Sequence, residues 1–407
     1  MKIQDIPKWL LIIALIGILT GSVSALFLIS LDWVTNYRIA HFSIIYFLPF
    51  AGLLIGLLYY YWGQEVVKGN NKIKEEIYAP KEIIPFRMAT LVLFSTLVTH
   101  LFGGSAGREG TAVQMGGAIA DRMTHYFKLN DEERKLVLIL GISAGFASVF
   151  NTPITGAIFA LEVLALRKIN FIAVLPSFLV AFLAQYICNL YPIQHTHYHI
   201  GLMPDFSFQN VGWVIFSAIC FGLAALLFSQ SVHFFGKTFQ KIKYPPLRPF
   251  VGGIVLVLII HFFEVQNYIG LGVPTIQNAF HEVLPEYSFI LKIALTTFTL
   301  GCGFKGGEVT PLFFVGATLG NLLSLYIPLP MAFLAGIGFV SVFSGATNTP
   351  IACTIMGVEL FGIDAAVYLA IGCFVAFLFS GKKGIYASQK MHWIKEGIAT
   401  RLSRKTV

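Results

Sequence analysis

Two glutamates in glycine-rich turns are the residues of this chain best suited to chemistry. Glu109 lies in GREGT, residues 107–111, and Glu308 lies in GGEVT, residues 306–310. Both turns interrupt apolar sequence, and an ionised carboxylate at membrane depth costs at least about 2.5–3.5 kcal/mol. A carboxylate kept there can take up and release a proton, and it can occupy or vacate an anion site as it does so. The pattern therefore indicates coupled movement of an anion and a proton.

Threonines and prolines near these turns predict that helices begin there. Thr310 precedes Pro311, Thr152 precedes Pro153, and Thr111 closes the first turn. Proline is tolerated at the first helical position, and we expect the three threonine hydroxyls to cap the helix starts. A helix that begins inside a membrane presents free N–H groups and the positive end of its dipole. Such a start can hold an anion.

The motifs occur twice in the same order. GREGT is followed by NTPI at 151–154, GGEVT is followed by NTPI at 348–351, and each glutamate stands two residues before a threonine. Glu162 and Glu359 each follow their NTPI asparagine by 11 positions, and we favour helix-packing or symmetry roles for both over proton carriage. Internal repeats of this kind are typical of transporters whose sites lie on broken helices between two halves. The segments expected to be broken helices are 103–122, 141–166, 301–326 and 336–362.

The composition predicts the elements that carry these motifs. The chain has 407 residues, of which 56% are hydrophobic and 12% charged. Its mean hydropathy of +0.76 is far above that of a soluble globular protein. An uncharged run such as 309–358 is long enough for about two crossings at ~20 residues each. We therefore expect an all-α polytopic membrane protein, whose first helix is retained rather than cleaved as a signal peptide.

Basic residues collect in short connecting segments. The net charge is +8, and lysines and arginines cluster at 237–248, 382–383 and 401–405. Such clusters are typical of cytoplasmic loops, and we expect a cytoplasmic C-terminus and no nucleic-acid partner. The predicted organisation is one transmembrane domain over 1–407. Its halves are about 1–200 and 206–390, and a short cytoplasmic tail over 391–407 carries no soluble regulatory domain.

Together these motifs resemble the CLC family of anion channels and proton-coupled anion antiporters. The resemblance is carried by GREGTAVQMGG (107–117), FNTPITGAIFALE (150–162), GGEVTPLFFVGATLG (306–320), SGATNTPIACTIMGVELFG (344–362) and GKKGIYAS (381–388). It implies a homodimer in which each subunit has one anion pathway and two inverted halves with broken transmembrane helices. It also implies that Glu109 is the gating and proton-transfer carboxylate and that Tyr386 lines the central anion site.

Departures from the chloride-handling pattern resemble the fluoride/proton antiporter branch. Asn70, in GNNKI at 69–73, stands where chloride members have a serine, although this segment also reads as an ordinary polar loop. Thr111 replaces a proline, and Glu308 with Thr310 replaces apolar sequence. The inner proton glutamate of chloride/proton antiporters falls on Val163, so the resemblance makes Glu308 the second proton carrier. The alternative for Glu308 is a structural salt bridge to Lys305.

A site selective for fluoride should be rich in hydrogen-bond donors, because fluoride is small, strongly hydrated and a good acceptor. The Asn70 amide and the Thr310 hydroxyl would supply donors beside backbone N–H groups. The sequence does not decide whether Asn70 or Asn71 meets the ion. The residues expected to bind the anion are Asn70, Asn71, Gly110, Thr111, Val309, Thr310 and Tyr386. We expect no metal and no cofactor.

The leading functional hypothesis is a fluoride/proton antiporter of the cell membrane, which exports fluoride from a microbial cytoplasm and gives fluoride resistance. Its partners are fluoride, protons, the lipid bilayer and a second copy of the chain. A chloride/proton antiporter or passive chloride channel of the same fold is the alternative. An intramembrane enzyme using HTHYH at 195–199 is a third hypothesis, for which the sequence offers no nucleophile–base pairing.

Overall fold

Apolar sequence interrupted by glycine, asparagine and proline turns folds into helices of very different lengths. The computed structural model describes residues 5–164, 171–390 and 394–397. Most of the predicted tail 391–407, including the basic cluster 401–405, lies outside the described residues. Within them, regular secondary structure is helical apart from one isolated β-bridge.

The helices of the described residues form two series of eight. The first series is α1 Ile6–Ala40, α2 Leu48–Trp62, α3 Asn70–Tyr78, α4 Arg87–Leu101, α5 Glu109–Phe127, α6 Asp131–Phe150, α7 Pro153–Glu162 and α8 Phe171–Asn189. The second is α9 Phe208–Gln240, α10 Leu247–Phe263, α11 Val273–Asn278, α12 Ser288–Gly301, α13 Val309–Leu323, α14 Met331–Thr347, α15 Pro350–Phe361 and α16 Ala366–Phe379. Each series opens with a helix of more than 30 residues and has its third helix under ten. The all-α, two-half architecture is therefore confirmed.

Long and short apolar helices occur together. Among the described residues, four segments are long and apolar enough to cross a membrane by length and composition, namely Ile6–Ala40, Phe42–Trp62, Phe171–Asn189 and Phe208–Gln240. Other apolar helices have only 10–17 residues. The first helix runs without a break from Ile6 to Ala40.

Short helices meet in pairs at the predicted breaks. Residues 102–108 separate α4 from α5, and residues 302–308 separate α12 from α13. The break between α6 and α7 lies at Asn151, and the break between α14 and α15 lies at Asn348. Their φ angles of 61° and 57° are left-handed, which asparagine tolerates better than most residues. The NTPI motif is therefore a turn between two helices in each half.

The predicted threonine caps were wrong. Thr152 does precede α7, with proline at the first helical position, but its hydroxyl caps nothing and has no hydrogen-bond partner. Thr111 and Thr310 lie inside the first turns of α5 and α13 rather than before them. The physical reason at α7 is that a carboxylate, a stronger acceptor than a hydroxyl, reaches its first N–H groups from the other half of the chain.

Glutamates cap the short helices across the two halves. The Glu359 carboxylate, on α15, accepts hydrogen bonds from the backbone N–H groups of Ile154 (3.0 Å) and Thr155 (2.7 Å) and from the Thr155 hydroxyl (2.5 Å), all on α7. Reciprocally, the Glu162 carboxylate on α7 accepts two bonds of 3.0 and 2.7 Å from the first turn of α15. We call this arrangement the crossed caps. It agrees with the helix-packing interpretation of both glutamates.

A buried ion network fixes α3. The first residue of this helix is Asn70, so the GNNKI segment starts a helix and is not a polar loop. Arg134, in the first turn of α6, donates to Asp121 on α5 (2.8 Å) and to Glu76 on α3 (3.1 Å). All three side chains are at least 95% buried. The network holds α3 against α5, which begins with Glu109.

Basic segments from the two halves lie at one end of the helix assembly. Near the start of α1, Lys8 is 3.3 Å from Glu133 in the first turn of α6. That turn also contacts α3, which follows α2 in the chain. In the last turn of α2, the Tyr60 ring packs 5.3 Å from the ring of Tyr244, within the basic segment 237–248. The N-terminus and this segment therefore share one side.

Candidate anion and proton site

An antiparallel β-bridge joins the two halves at the repeated glycine turns. The backbone N–H of Gly107 donates to the Gly307 carbonyl (2.6 Å), and the Gly307 N–H donates to the Gly107 carbonyl (2.7 Å). Since α5 and α13 start two residues after these glycines, the two helix starts lie side by side. A methyl group at Gly307 would lie 2.7 Å from the Gly110 nitrogen, so this approach requires glycine.

The β-bridge aligns the two halves in a register that does not align Glu109 with Glu308. The two glutamates are offset by one residue. Counted from the bridging glycines, Glu109 is the second residue onward, but Glu308 is only the first. Glu308 therefore corresponds to Arg108, and the counterpart of Glu109 is Val309. In the sequence, each glutamate stands two residues before a threonine, which suggests that Glu109 and Glu308 are equivalent. The backbone pairing shows that they are not.

The Glu109 carboxylate occupies the start of α13. It accepts hydrogen bonds from the Thr310 backbone N–H (3.0 Å), from the Thr310 hydroxyl (2.5 Å) and from the Arg108 N–H (3.2 Å). The Arg108 Nε is 3.6 Å from the same carboxylate. Only 1% of Glu109 is exposed. A carboxylate at a helix start takes the position that a free anion would take.

Glu308 is half-buried beside the start of α5, and its Oε2 atom faces that helix. Its Oε2 atom has no hydrogen-bond partner among the described residues. A methyl group at Gly110 would lie 3.3 Å from this oxygen and 3.0 Å from the Asn70 Nδ2 atom. Glu308, Asn70 and the first turn of α5 are therefore neighbours.

The structure does not form the alternative Lys305–Glu308 salt bridge. The Lys305 ammonium lies 4.3 Å from the centroid of the Tyr59 ring and donates to the Val67 carbonyl (3.3 Å). Its charge acts on Glu308 only from beyond ion-pair distance. The Glu308 carboxylate is thus not held by a paired cation.

The two candidate asparagines point in different directions. The Asn71 Oδ1 atom accepts hydrogen bonds from the backbone N–H (3.1 Å) and hydroxyl (2.8 Å) of Ser388, two residues after Tyr386. It ties α3 to the segment that carries the tyrosine. Asn70 lines a cavity next to the site, and its Oδ1 atom is buried with no hydrogen-bond partner. Of the two, Asn70 is the one whose side chain reaches the cavity.

The remaining predicted residues divide between the helix starts and the packing around them. Gly110 and Val309 lie in the first turns of α5 and α13, where backbone N–H groups have no acceptor within their own helix. The Thr111 hydroxyl instead lies 2.8 Å from the hydroxyl of Thr96 on α4. Thr111 therefore packs against α4.

Sequence reasoning missed Lys74, which lies in the same cavity. The lining side chains are Asn70, Ile73, Lys74, Val113, Ile142, Phe159, Val163 and Tyr386. The Lys74 ammonium lies 3.4 Å from the centroid of the Tyr386 ring. In the sequence, Lys74 is one of several lysines in a polar segment. Once α3 is known to start at Asn70, the spacing of four residues puts both on one helix face.

Comparison with known proteins identifies the family. The family described as "Voltage gated chloride channel" (Voltage_CLC) matches residues 51–381. This chain belongs to the CLC family. A "Chloride/fluoride channel protein" of Pseudomonas syringae pv. tomato is 47% identical over 393 residues, covering 95% of this chain and 87% of that protein. An "H(+)/Cl(-) exchange transporter ClcA" of Cronobacter sakazakii is 25% identical and covers 78% of this chain and 72% of its own.

Solved structures agree with this assignment. A "CLC-type fluoride/proton antiporter" matches with a TM-score of 0.92 and 32% identity, covering 96% of this chain and 99% of that one. A "slow cyanobacterial Cl-/H+ antiporter" matches with a TM-score of 0.79 over 98% of this chain, but at 18% identity it supports the fold alone. The resemblance inferred from the sequence is confirmed. The protein is a CLC membrane protein of anion transport, and its family comprises channels and transporters rather than enzymes.

Proposed function

We propose that this protein is a fluoride/proton antiporter that exports fluoride across the cell membrane as a homodimer. The observation that carries the proposal is the Glu109 carboxylate at the start of α13, bonded to the N–H and hydroxyl of Thr310. Ionised, Glu109 fills the position of the anion. Protonated, it loses its attraction for the helix start, and an anion can take its place. One side chain thereby links anion exchange to proton movement.

The choice of fluoride rests on the donors around the helix starts. The Thr310 hydroxyl and the Asn70 amide add to the first-turn N–H groups at Gly110 and Val309, and Tyr386 lines the adjoining cavity. Fluoride loses more hydration energy than chloride on entering a site, so it needs more donors to replace its water. The relatives whose names and titles mention fluoride are consistent with this reading.

Glu308 is the second proton carrier in this proposal. One of its carboxylate oxygens is buried without a hydrogen-bond partner, and its charge and that of Glu109 act on each other. Val163 stands in the cavity where the resemblance expects an inner proton glutamate. A proton crossing the membrane therefore needs another titratable group, and Glu308 meets that need.

The basic end of the molecule faces the cytoplasm in this proposal. Lys8 and the segment 237–248 lie at that end, and lysines and arginines favour the cytoplasmic side. Fluoride enters from that side, and Glu109 exchanges with it.

Transport by the purified protein in liposomes tests the proposal. Fluoride-selective and chloride-selective electrodes follow anion release while an imposed pH gradient drives exchange. We expect uphill fluoride movement coupled to protons and little chloride movement. Glu109→Gln, which cannot release a proton, should abolish proton-coupled fluoride transport. Glu132→Gln, the same substitution at a carboxylate whose side chain is 80% exposed, is the matched control and should behave as the wild type.

Two results would contradict the proposal. If chloride moves as fast as fluoride, the donors around the helix starts do not select fluoride, and the chloride/proton antiporter or chloride channel takes its place. If Glu109→Gln still moves protons with fluoride, the carboxylate at the start of α13 is not the proton-transfer group.

A further inference from the structure

Lys74 is a buried lysine whose amine has no hydrogen-bonding partner among the described residues. Only 3% of the residue is exposed, and its Nζ atom donates no hydrogen bond among the described residues. Two other buried lysines do have hydrogen-bond acceptors. Lys292 donates to the Tyr268 and Gly270 carbonyls, and Lys395 has three acceptors within 3.0 Å. An ammonium with three unused donors implies an acceptor that is not part of the polypeptide.

The cavity beside Lys74 has the composition of an anion site. Its polar lining consists of Asn70, Lys74 and Tyr386, each of which can donate a hydrogen bond, and its other lining side chains are apolar. No carboxylate is among its lining side chains, so an anion there does not directly contact a negative charge. The apolar walls also keep the local dielectric low, which strengthens the attraction of the ammonium for an anion.

The charge of Lys74 also acts on Glu308, although the two are not paired within ion-pair distance. The ammonium therefore has two competing partners, an anion in the cavity and the Glu308 carboxylate. A transport site must bind its ion firmly enough to admit it and weakly enough to release it. A cation shared with a carboxylate meets both requirements, because ionised Glu308 offsets the attraction that would otherwise trap the anion.

We propose that Lys74 determines anion specificity by binding fluoride in this cavity through its ammonium group, together with the Asn70 amide. This inference rests on the proposed function and adds a ligand to it. Fluoride gives up a larger hydration energy than chloride, and a full positive charge compensates that loss better than neutral donors do. The contact with the Tyr386 ring holds the ammonium at the cavity wall without using its donors.

Substitutions of Lys74 in the full-length protein test the inference. Lys74→Met keeps the length of the side chain without its charge, and Lys74→Arg keeps the charge. Sodium fluoride and sodium chloride are titrated by calorimetry into each detergent-purified variant, and the KM for each anion is measured in liposomes. We expect Lys74→Met to raise the fluoride Kd and KM about tenfold or more, with a change of about threefold or less for chloride. Lys74→Arg should stay within about threefold of the wild type for both anions.

Lys68→Met is the matched control. Lys68 precedes the same helix, its side chain is 59% exposed, and it pairs only with Glu75, so its loss should leave both anions unaffected. Lys74→Gln, which keeps donors without charge, repeats the test if the methionine variant is not monodisperse in gel filtration.

Two results would overturn the inference. If Lys74→Met binds fluoride as the wild type does, Lys74 only packs on Tyr386. If methionine and arginine variants both lose proton movement while fluoride binding is unchanged, Lys74 carries protons instead of binding the anion. A wild type that fails to move fluoride against a proton gradient would refute the proposed function. Calorimetry would still decide in that case whether fluoride binding depends on Lys74.

Discussion

The crossed caps allow a sharp prediction about stability. Glu359→Ala removes the acceptor of three hydrogen bonds at the start of α7, whereas Glu162→Ala removes the acceptor of two at the start of α15. In the wild type the Thr152 hydroxyl makes no cap, so the carboxylate is the side-chain acceptor at this helix start. We therefore expect both variants to be less stable than the wild type and Glu359→Ala to be the less stable of the two.

The size of the effect follows from the kind of hydrogen bond lost. A bond to a charged acceptor contributes about 1.5–3 kcal/mol, and loss of a whole cap costs about 0.5–2 kcal/mol in soluble proteins. Ile154 is 38% exposed, so solvent replaces part of what is lost there. We expect a loss of about 2–4 kcal/mol for Glu359→Ala. For a chain of 407 residues, this corresponds to a fall in Tm of about 2–5 °C.

Thermal unfolding in detergent, followed by circular dichroism, measures the shift. Glu359→Gln keeps one acceptor oxygen and should lose about half as much. Glu132→Ala removes an exposed carboxylate and should leave Tm unchanged. Below their melting range, Glu162→Gln and Glu359→Gln should both keep proton-coupled transport, because the crossed caps hold helices and carry no protons.

The reasoning fails if the Tm of Glu359→Ala equals that of Glu132→Ala. In that case the N–H groups at the start of α7 find other acceptors at no cost. It fails differently if Glu162→Gln transports fluoride without protons, because the carboxylate beside Val163 would then belong to the proton path.

Three further predictions concern the site and its support. Gly307→Ala puts a methyl group 2.7 Å from the Gly110 nitrogen and should cost about 1–3 kcal/mol, measured as a lower Tm, with a loss of transport. Thr310→Val removes a donor to Glu109 and should lower fluoride-over-chloride selectivity about tenfold, measured with ion electrodes in liposomes. Arg134→Met leaves the buried Asp121 carboxylate without its cation and leaves Glu76 paired with Lys72 alone, and it should cost about 3–5 kcal/mol in thermal unfolding.

Each has a matched control in the same chain. Gly212→Ala adds a methyl group that meets nothing within 4 Å. The Thr318 hydroxyl donates only to its own helix, so Thr318→Val should leave selectivity unchanged. Arg87→Met breaks an exposed pair with Glu65 and should change Tm little. If any of the three site variants behaves as its control does, the contact assigned to it has no energetic role.

Features that depend on local chemistry could be predicted from the sequence. The breaks in the helices follow from glycine, asparagine and proline, whose backbone preferences act within a few residues. The burial of Glu109 at a helix start follows from a charge placed in an apolar, glycine-rich turn. The family itself was recognisable from five separated motifs.

Features that depend on contacts between distant residues could not be predicted from the sequence. The partner of Thr310 is 201 positions away, and the acceptor that replaces the expected Thr152 cap is more than 200 positions away. Local capping rules consider only neighbouring side chains, so they chose hydroxyls where carboxylates act. Lys74 was missed because the start of α3 at Asn70 depends on packing against α5 and α6, which no local pattern records.

The register of the Gly107–Gly307 bridge has a consequence for the symmetry of the site. Two identical halves related by an inverted twofold axis would make the molecule look the same from either face of the membrane, and such a molecule could have no polarity. Here the start of α13 holds a carboxylate from Glu109, while the equivalent position in the other half is Val309, which has no charge to offer. A displacement of one residue at the centre of a near-symmetric fold therefore makes the two helix starts chemically different.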